Sequence, residues 1–114
     1  MMILVIDDDD LRRRSISRLL KASLGGTVDS ASTYEDAMYK LSSNTYNLVS
    51  IDYDLGQALN GGDIAREIVR LNISIPDVRV HSSCSSGAYE IVSILETGNI
   101  KNKLFDSIKV TGLV

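Results

Sequence analysis

The sequence has one cysteine, one histidine, one proline, one phenylalanine and no tryptophan, and each scarcity excludes something. Cys84 has no internal partner for a disulfide, so stability must come from an ordinary core. With His81 as the single imidazole, sites built on two histidines are excluded, which covers most catalytic zinc centres and twin-histidine phosphoesterases. No apolar run reaches the roughly 20 residues that span a bilayer, and no leader-like segment opens the chain, so a soluble, cytoplasmic protein without membrane contact is expected. Twelve basic residues against fifteen acidic give a net charge of −3. That balance offers no general attraction to a nucleic-acid backbone and argues against nonspecific binding to one.

What is present is a chain of 114 residues, sized for a single domain over 1–114 with one core. Met2 to Ile6 is a continuous, branched apolar run of the kind buried on both faces of a parallel sheet, and it ends abruptly in acid. Leu11, Ile16, Leu19, Leu20 and Leu24 then outline one face of a helix that Gly25 and Gly26 stop. Thr27 to Ala31 reads as a strand. Ser32 and Glu35 have capping-box spacing ahead of Tyr34, Ala37, Met38 and Leu41, which recur at helical intervals. Asn47 to Ile51 is a third apolar run, again followed by acid, at Asp52 and Asp54. Leu55 to Gly62 has the composition of a loop, and Ile64, Ala65, Ile68, Val69 and Leu71 follow as an amphipathic helix. Pro76 marks the entry to a strand over Asp77 to Val80, leading into His81. Gly87 precedes a helix with Ala88, Ile91, Val92 and Leu95 on one face. Lys103 to Val110 supplies a fifth strand, with no sequence left for a fifth helix.

Strands alternating with helices imply parallel pairing through right-handed crossovers and an open sheet with helices on both faces. In the flavodoxin-like order 2-1-3-4-5, the first and third strands are neighbours where the direction of connection reverses, and ligands bind there beyond the carboxyl ends. Both acidic clusters, Asp7 to Asp10 and Asp52 with Asp54, then meet at one crevice, with His81 and Ser82 arriving from the fourth strand. Carboxylates gathered this closely need proton uptake, an arginine or lysine between them, or a bound hard cation. A cation is the favoured remedy, and oxygen ligands suit Mg²⁺, Mn²⁺ or Ca²⁺ better than zinc. The expected ligands are Asp8 and Asp52, with Asp7 close behind. Asp9 and Asp10 are assigned instead to capping and charging the first helix. The basic run Arg12, Arg13, Arg14, Arg18 and Lys21 reads as a solvated helix face paired with nearby carboxylates.

The Ile6-Asp7-Asp8-Asp9 junction, with Asp52 closing the third strand, resembles the receiver domains of two-component signalling, in which paired acids hold Mg²⁺ and the third-strand aspartate accepts a phosphoryl group. The chain departs from that pattern. His81 stands in the Thr or Ser slot of the fourth strand, Gly56 replaces a proline, no Lys-Pro pair follows Lys101 or Lys103, and the last helix is missing. Asp52-Tyr53-Asp54-Leu55-Gly56, Gly62-Asp63-Ile64-Ala65 and His81-Ser82-Ser83-Cys84 with Gly87 resemble more closely the receiver-like family named for cyclic-phosphate processing, with Tyr53 where that family has His and Cys84 where it has Asn. This resemblance implies a receiver-like fold and a metal-dependent phosphoesterase acting on a cyclic phosphate, in a small molecule or at an RNA terminus. Asp7, Asp8 and Asp52 would hold Mg²⁺ or Mn²⁺, the metal or a carboxylate such as Asp52 would activate water, His81 would donate a proton to the leaving oxygen, and Ser82 would bond a phosphate oxygen. Nearby carboxylates would favour the charged imidazole. The alternatives are a phosphoacceptor receiver with Asp52 as acceptor, or a degenerate binding module without catalysis.

Overall fold

The computed structural model describes residues 1–82 and 84–104. The chain order is β1 (Met2–Ile6), α1 (Asp10–Leu24), β2 (Thr27–Ala31), α2 (Tyr34–Ser43), β3 (Leu48–Asp52), α3 (Gly61–Arg70), β4 (Asp77–His81), α4 (Ser85–Thr97) and β5 (Asn102–Leu104). All pairings are parallel, and the five strands lie in the order β2-β1-β3-β4-β5, as the alternation of strand and helix requires. The lower part of the fifth strand expected over Lys103 to Val110 falls within β5; its remainder lies outside the described residues. No helix among the described residues is long and apolar enough to cross a membrane.

Strand alternation divides the core in two. Ile3 and Val5 of β1 and Leu48 of β3 face α1 and pack with Ile16 and Leu20. Leu4, Ile6, Val49, Ile51, Val78 and Val80 face the other way, against Ala37 and Leu41 of α2, Ile64 and Ile68 of α3, and Ile91 and Leu95 of α4. Several boundaries differ from those read in the sequence. Leu11 and Leu24, expected on the apolar face of α1, are 76% and 42% exposed. Leu11 precedes Ile16 by five residues, which carries it about 140° round the helix, and Leu24 is in the final turn. Helix α2 is capped one residue later than expected, by Thr33, whose hydroxyl accepts from the Asp36 amide at 3.1 Å; Ala31 still pairs with Ile6, so the turn needs Ser32 to leave the sheet. Helix α3 starts inside the expected loop, because Asn60 and Asp63 form a reciprocal capping box.

That early start brings the first turn of α3 against the end of β3. The Gly61 amide donates to the Tyr53 carbonyl at 2.7 Å, and a Cβ at Gly61 would run into the Asp52 carbonyl oxygen and the Tyr53 Cα. Backbone atoms at the end of a buried strand have little room to yield. Gly61→Ala is therefore expected to cost about 1–3 kcal/mol of stability, read as a lower urea midpoint; an unchanged midpoint would show that the loop relaxes freely.

Candidate functional site

The register of the sheet explains which side chains meet. In β1 and β3 the residues facing α1 are Ile3 and Val5, and Leu48 and Ser50; one further step of the same parity reaches Asp7 and Asp52. Ile6 is paired with Ile51, so Asp7 follows directly opposite Asp52, and Asp52 is itself paired with His81. Three consecutive strands thus deliver Asp7, Asp52 and His81 to the same face at the carboxyl edge. All three are buried, at 0%, 1% and 3% exposure, and each offers a ligand atom within 4.8 Å of the others'.

Arg12, in the first turn of α1, lies between the two carboxylates. Its Nε donates to Asp7 Oδ2 at 2.5 Å, and its Nη2 donates to Asp7 Oδ1 and to Asp52 Oδ2, both at 3.0 Å. Asp7 also accepts from the Asp9 amide at 2.9 Å and stands 2.9 Å from His81 Nε2. Burial alone would raise the Asp7 carboxyl, but the bonds from His81, Arg12 and Asp9 overcome it and hold the group at about 2. Asp52 goes the other way: burial and the charge of Asp7 push it up to about 7 against the pull of Arg12. The imidazole is lowered from its ordinary value by burial, with the Asp7 bond opposing, so the charged form expected from the sequence does not prevail. An ionised Asp7 can only accept, which puts the proton of the neutral ring on Nε2; Nδ1 then accepts from the Ser50 hydroxyl at 2.9 Å. Ser50 is fully buried in the middle of β3, which keeps its hydroxyl from acting as a nucleophile. His81 therefore holds Asp7 and has its proton committed there, a different task from the proton donation expected of it.

The remaining residues sort around this centre. Asp8, expected as a first ligand, is exposed at the rim; a Cβ on Gly56 would lie 2.9 Å from its Oδ2, and its charge contributes to raising Asp52. Asp9 caps α1 by accepting from the Arg12 amide at 3.0 Å, and Asp10 occupies the first turn and pairs with Arg13, as expected of both. The Ser82 hydroxyl accepts from the Cys84 amide at 3.0 Å, a local turn outside the acidic cluster. Cys84 is exposed at the N-terminus of α4, where the Ser86 hydroxyl and the backbone amide of Gly87 lower its thiol. Ser83 lies outside the described residues. Lys103 is in register with Arg79, and Val80 with Leu104, so Lys103 sits one pleat below the tier of Asp52 and His81, and Lys101 precedes the strand. The sequence reading named Arg12 only as part of a basic run and missed its place in the site. The charge between the carboxylates is met by an arginine rather than by the cation favoured from the sequence; with both ring nitrogens of His81 engaged, the donors that fit a divalent cation are the oxygens of Asp7 and Asp52.

The opposite displacements of the two carboxyls have opposite consequences for stability. Native Asp52 keeps its proton to about 7 whereas an ordinary carboxyl releases it at 3.8, so the stability tied to the protonated form is lost as pH rises through about 7. Asp7 contributes above 3.8 and loses its contribution only as pH falls toward about 2. In EDTA, the stability of the wild type relative to Asp52→Asn is expected to fall as pH rises from about 3.8 to about 7 and to be level above that. Urea melts of both proteins measure this, and a flat difference would reject a raised Asp52.

The profile of the cyclic-phosphate processing receiver domain matches residues 2–97. Curated relatives include a protein-glutamate methylesterase/protein-glutamine glutaminase of Treponema denticola, 30% identical over 97 residues, which are 84% of this chain and 26% of that protein. The sensory transduction protein LytR of Staphylococcus haemolyticus is 35% identical over 72 residues, 62% of this chain and 28% of that one. The match thus spans about a quarter of either relative's length. Among solved structures, a CheY-like response regulator receiver domain protein from Methanospirillum hungatei superposes with a TM-score of 0.78 at 19% identity, over 98% of this chain and 86% of that one. A response regulator from Burkholderia pseudomallei with a phosphorylated aspartic acid, calcium ion and citrate gives 0.73 at 20% identity, over 98% and 63%. These likenesses establish the receiver fold, and the profile match over nearly the whole described chain makes this protein a member of the cyclic-phosphate processing receiver domain family.

Proposed function

We propose that the domain is a phosphodiesterase that binds a cyclic phosphate, in a small nucleotide or at an RNA end, beyond the carboxyl edge of β1, β3 and β4, and opens it by hydrolysis. The observation that carries this reading is the convergence of two buried carboxyls, Asp7 and Asp52, on one face at the carboxyl edge of the sheet with ligand atoms within 4.8 Å, burial and the charge of Asp7 raising Asp52 while the bonds from His81 and Arg12 lower Asp7. Environments that push paired carboxyls apart in this way separate a fixed charge from a group able to move a proton at neutral pH. Asp52 takes the proton of the attacking water as the new P–O bond forms. It returns that proton to the ribose oxygen as the ring P–O bond breaks, so one water is consumed and a monoester with a free hydroxyl results. His81 positions Asp7 through Nε2 and is itself fixed by Ser50. Asp7 and Asp52, with Asp8 at the rim, are the residues that would hold Mg²⁺ or Mn²⁺; when bound, the ion neutralises phosphate charge and polarises its oxygens. The calcium ion in the Burkholderia pseudomallei response regulator supports a cation on this fold. The Ser82 hydroxyl, at the start of the β4–α4 turn, is the group that would offer a phosphate oxygen a bond. Lone Cys84 needs no oxidising compartment, which supports a cytoplasmic setting.

Purified protein with Mn²⁺ or Mg²⁺ is expected to hydrolyse a 2′,3′-cyclic nucleotide or a cyclic dinucleotide. Asp52→Asn should lower the rate by about 10²–10⁴-fold, and His81→Ala should also reduce it. Turnover that persists unchanged in both variants would remove the site from the reaction.

A second reading, that Asp52 accepts a phosphoryl group, is favoured by its place at the end of β3, where its side chain takes its hydrogen bond from Arg12. Incubation with acetyl phosphate should then add one phosphoryl mass to the wild type and none to Asp52→Asn. No mass gain in either protein rejects the acceptor reading.

A further inference from the structure

We infer that Arg12 is an internal stand-in for the divalent cation: its guanidinium and the ion occupy the gap between Asp7 and Asp52 in turn, so that an ion enters only as Arg12 leaves. The inference rests on the cation-binding part of the reading above and adds a device that governs it.

The acceptor inventory of Asp7 makes the exclusion. A carboxylate has about four lone-pair sites, and Asp7 uses them all: Oδ1 accepts from the Asp9 amide and Arg12 Nη2, and Oδ2 from Arg12 Nε and His81 Nε2. A metal cannot join this carboxylate without displacing a donor. The Asp9 amide is backbone at the cap of α1, and His81 is buried and tied to Ser50. Arg12 is the donor that can go, since its side chain is 32% exposed on a long stem. It is also the donor that blocks Asp52, through Nη2. The ligand atoms of Asp7, Asp52 and His81 lie within 4.8 Å of one another, so an ion among them and a guanidinium bonded to two of them would share one space, with positive charge against positive charge. Arg12 thus keeps the acid pair neutralised in the absence of metal, and its withdrawal becomes part of the cost of loading the site.

Metal-stripped full-length protein is titrated with Mn²⁺, free ion being followed by electron paramagnetic resonance. Arg12→Gln removes the competitor; Arg14→Gln, at an exposed position in the same basic run, removes an equal charge without opening the gap. Arg12→Gln is expected to tighten Mn²⁺ binding about ten- to hundredfold, as loss of hydrogen bonds between charged groups would do, and Arg14→Gln by no more than about twofold. Arg12→Lys, which keeps the charge but not the fork, should fall between wild type and Arg12→Gln. The melting temperature of metal-free Arg12→Gln should drop and be recovered by Mn²⁺; should that variant fail to fold, Arg12→Lys carries the same test. Equal affinities in the wild type and Arg12 variants, or equal shifts from Arg12 and Arg14 substitutions, overturn the exchange while leaving the cation reading in place. No Mn²⁺ binding by any variant overturns both. Tighter binding in Arg12→Gln without hydrolysis of any cyclic phosphate upholds the exchange and removes only the reaction.

Discussion

Two carboxylates on adjacent strands, both out of contact with bulk water, set the terms for everything at the carboxyl edge. Charge in such a place is costly unless it is paired and hydrogen-bonded, and two like charges multiply the cost. The protein resolves the conflict unequally. Among the described residues, Asp7 receives the Asp9 amide, the imidazole and two nitrogens of Arg12, while the Asp52 carboxyl receives one bond, from the same guanidinium. The richer set of donors fixes one charge, and the poorer set leaves the other group able to gain or lose a proton. Because Arg12 belongs to α1, the docking of that helix through Ile16 and Leu20 also sets the electrostatics of the site. Packing and chemistry are coupled there through one side chain.

The two faces of the sheet divide these tasks. The face toward α2, α3 and α4 is apolar along Leu4, Ile6, Val49, Ile51, Val78 and Val80. The α1 face is apolar only around Ile3, Val5 and Leu48. Further along the same parity come Ser50, the Arg79–Asp77 pair at 3.1 Å, and then Asp52 and His81. Polarity therefore rises both toward the carboxyl edge and toward β4. The larger cluster can hold the strands in register while the polar tier responds to protons and ions, because the side chains concerned project from opposite sides of the same backbone.

How far the site was legible follows from the same geometry. The β1 range could be read directly, since a branched apolar run bounded by charge leaves little choice, and β2 followed from its place between the glycines after α1 and the cap of α2. The convergence of two acidic strand ends with His81 followed from the strand order alone. Choosing between Asp7 and Asp8 required the parity of the strand relative to α1, which an acid run does not reveal: Asp7 continues the face of Ile3 and Val5, and Asp8 falls to the rim. Arg12 was hidden for a related reason. Counting Leu11 and Leu24 into the apolar stripe misplaces the phase of α1, and the phase decides whether an arginine in the first turn points to solvent or folds back over the strand ends. Ile16 and Leu20, four residues apart, are the pair that fixes it.

The same parity bears on Tyr53 and Cys84. Tyr53 follows Asp52 and so turns to the other face, packing against the larger core cluster, and a Cβ on Gly87 would run into its ring. Gly87 thus gives α4 room to close over the tyrosine. Cys84 lies at the start of that helix, exposed, with its thiol 3.3 Å from the Ser86 hydroxyl. Tyr53 is one residue from Asp52 in sequence but packs on the opposite side of the sheet from Asp7, Asp52 and His81, and Cys84, three residues beyond His81, opens the helix that packs on that other side. The Tyr53 hydroxyl keeps a polar group there, bonded to Glu90, and leaves the buried tier of charge intact. Substitutions at these two positions therefore act on the rim over α4, while the paired carboxyls and their guanidinium form a separate tier on the α1 side of the sheet.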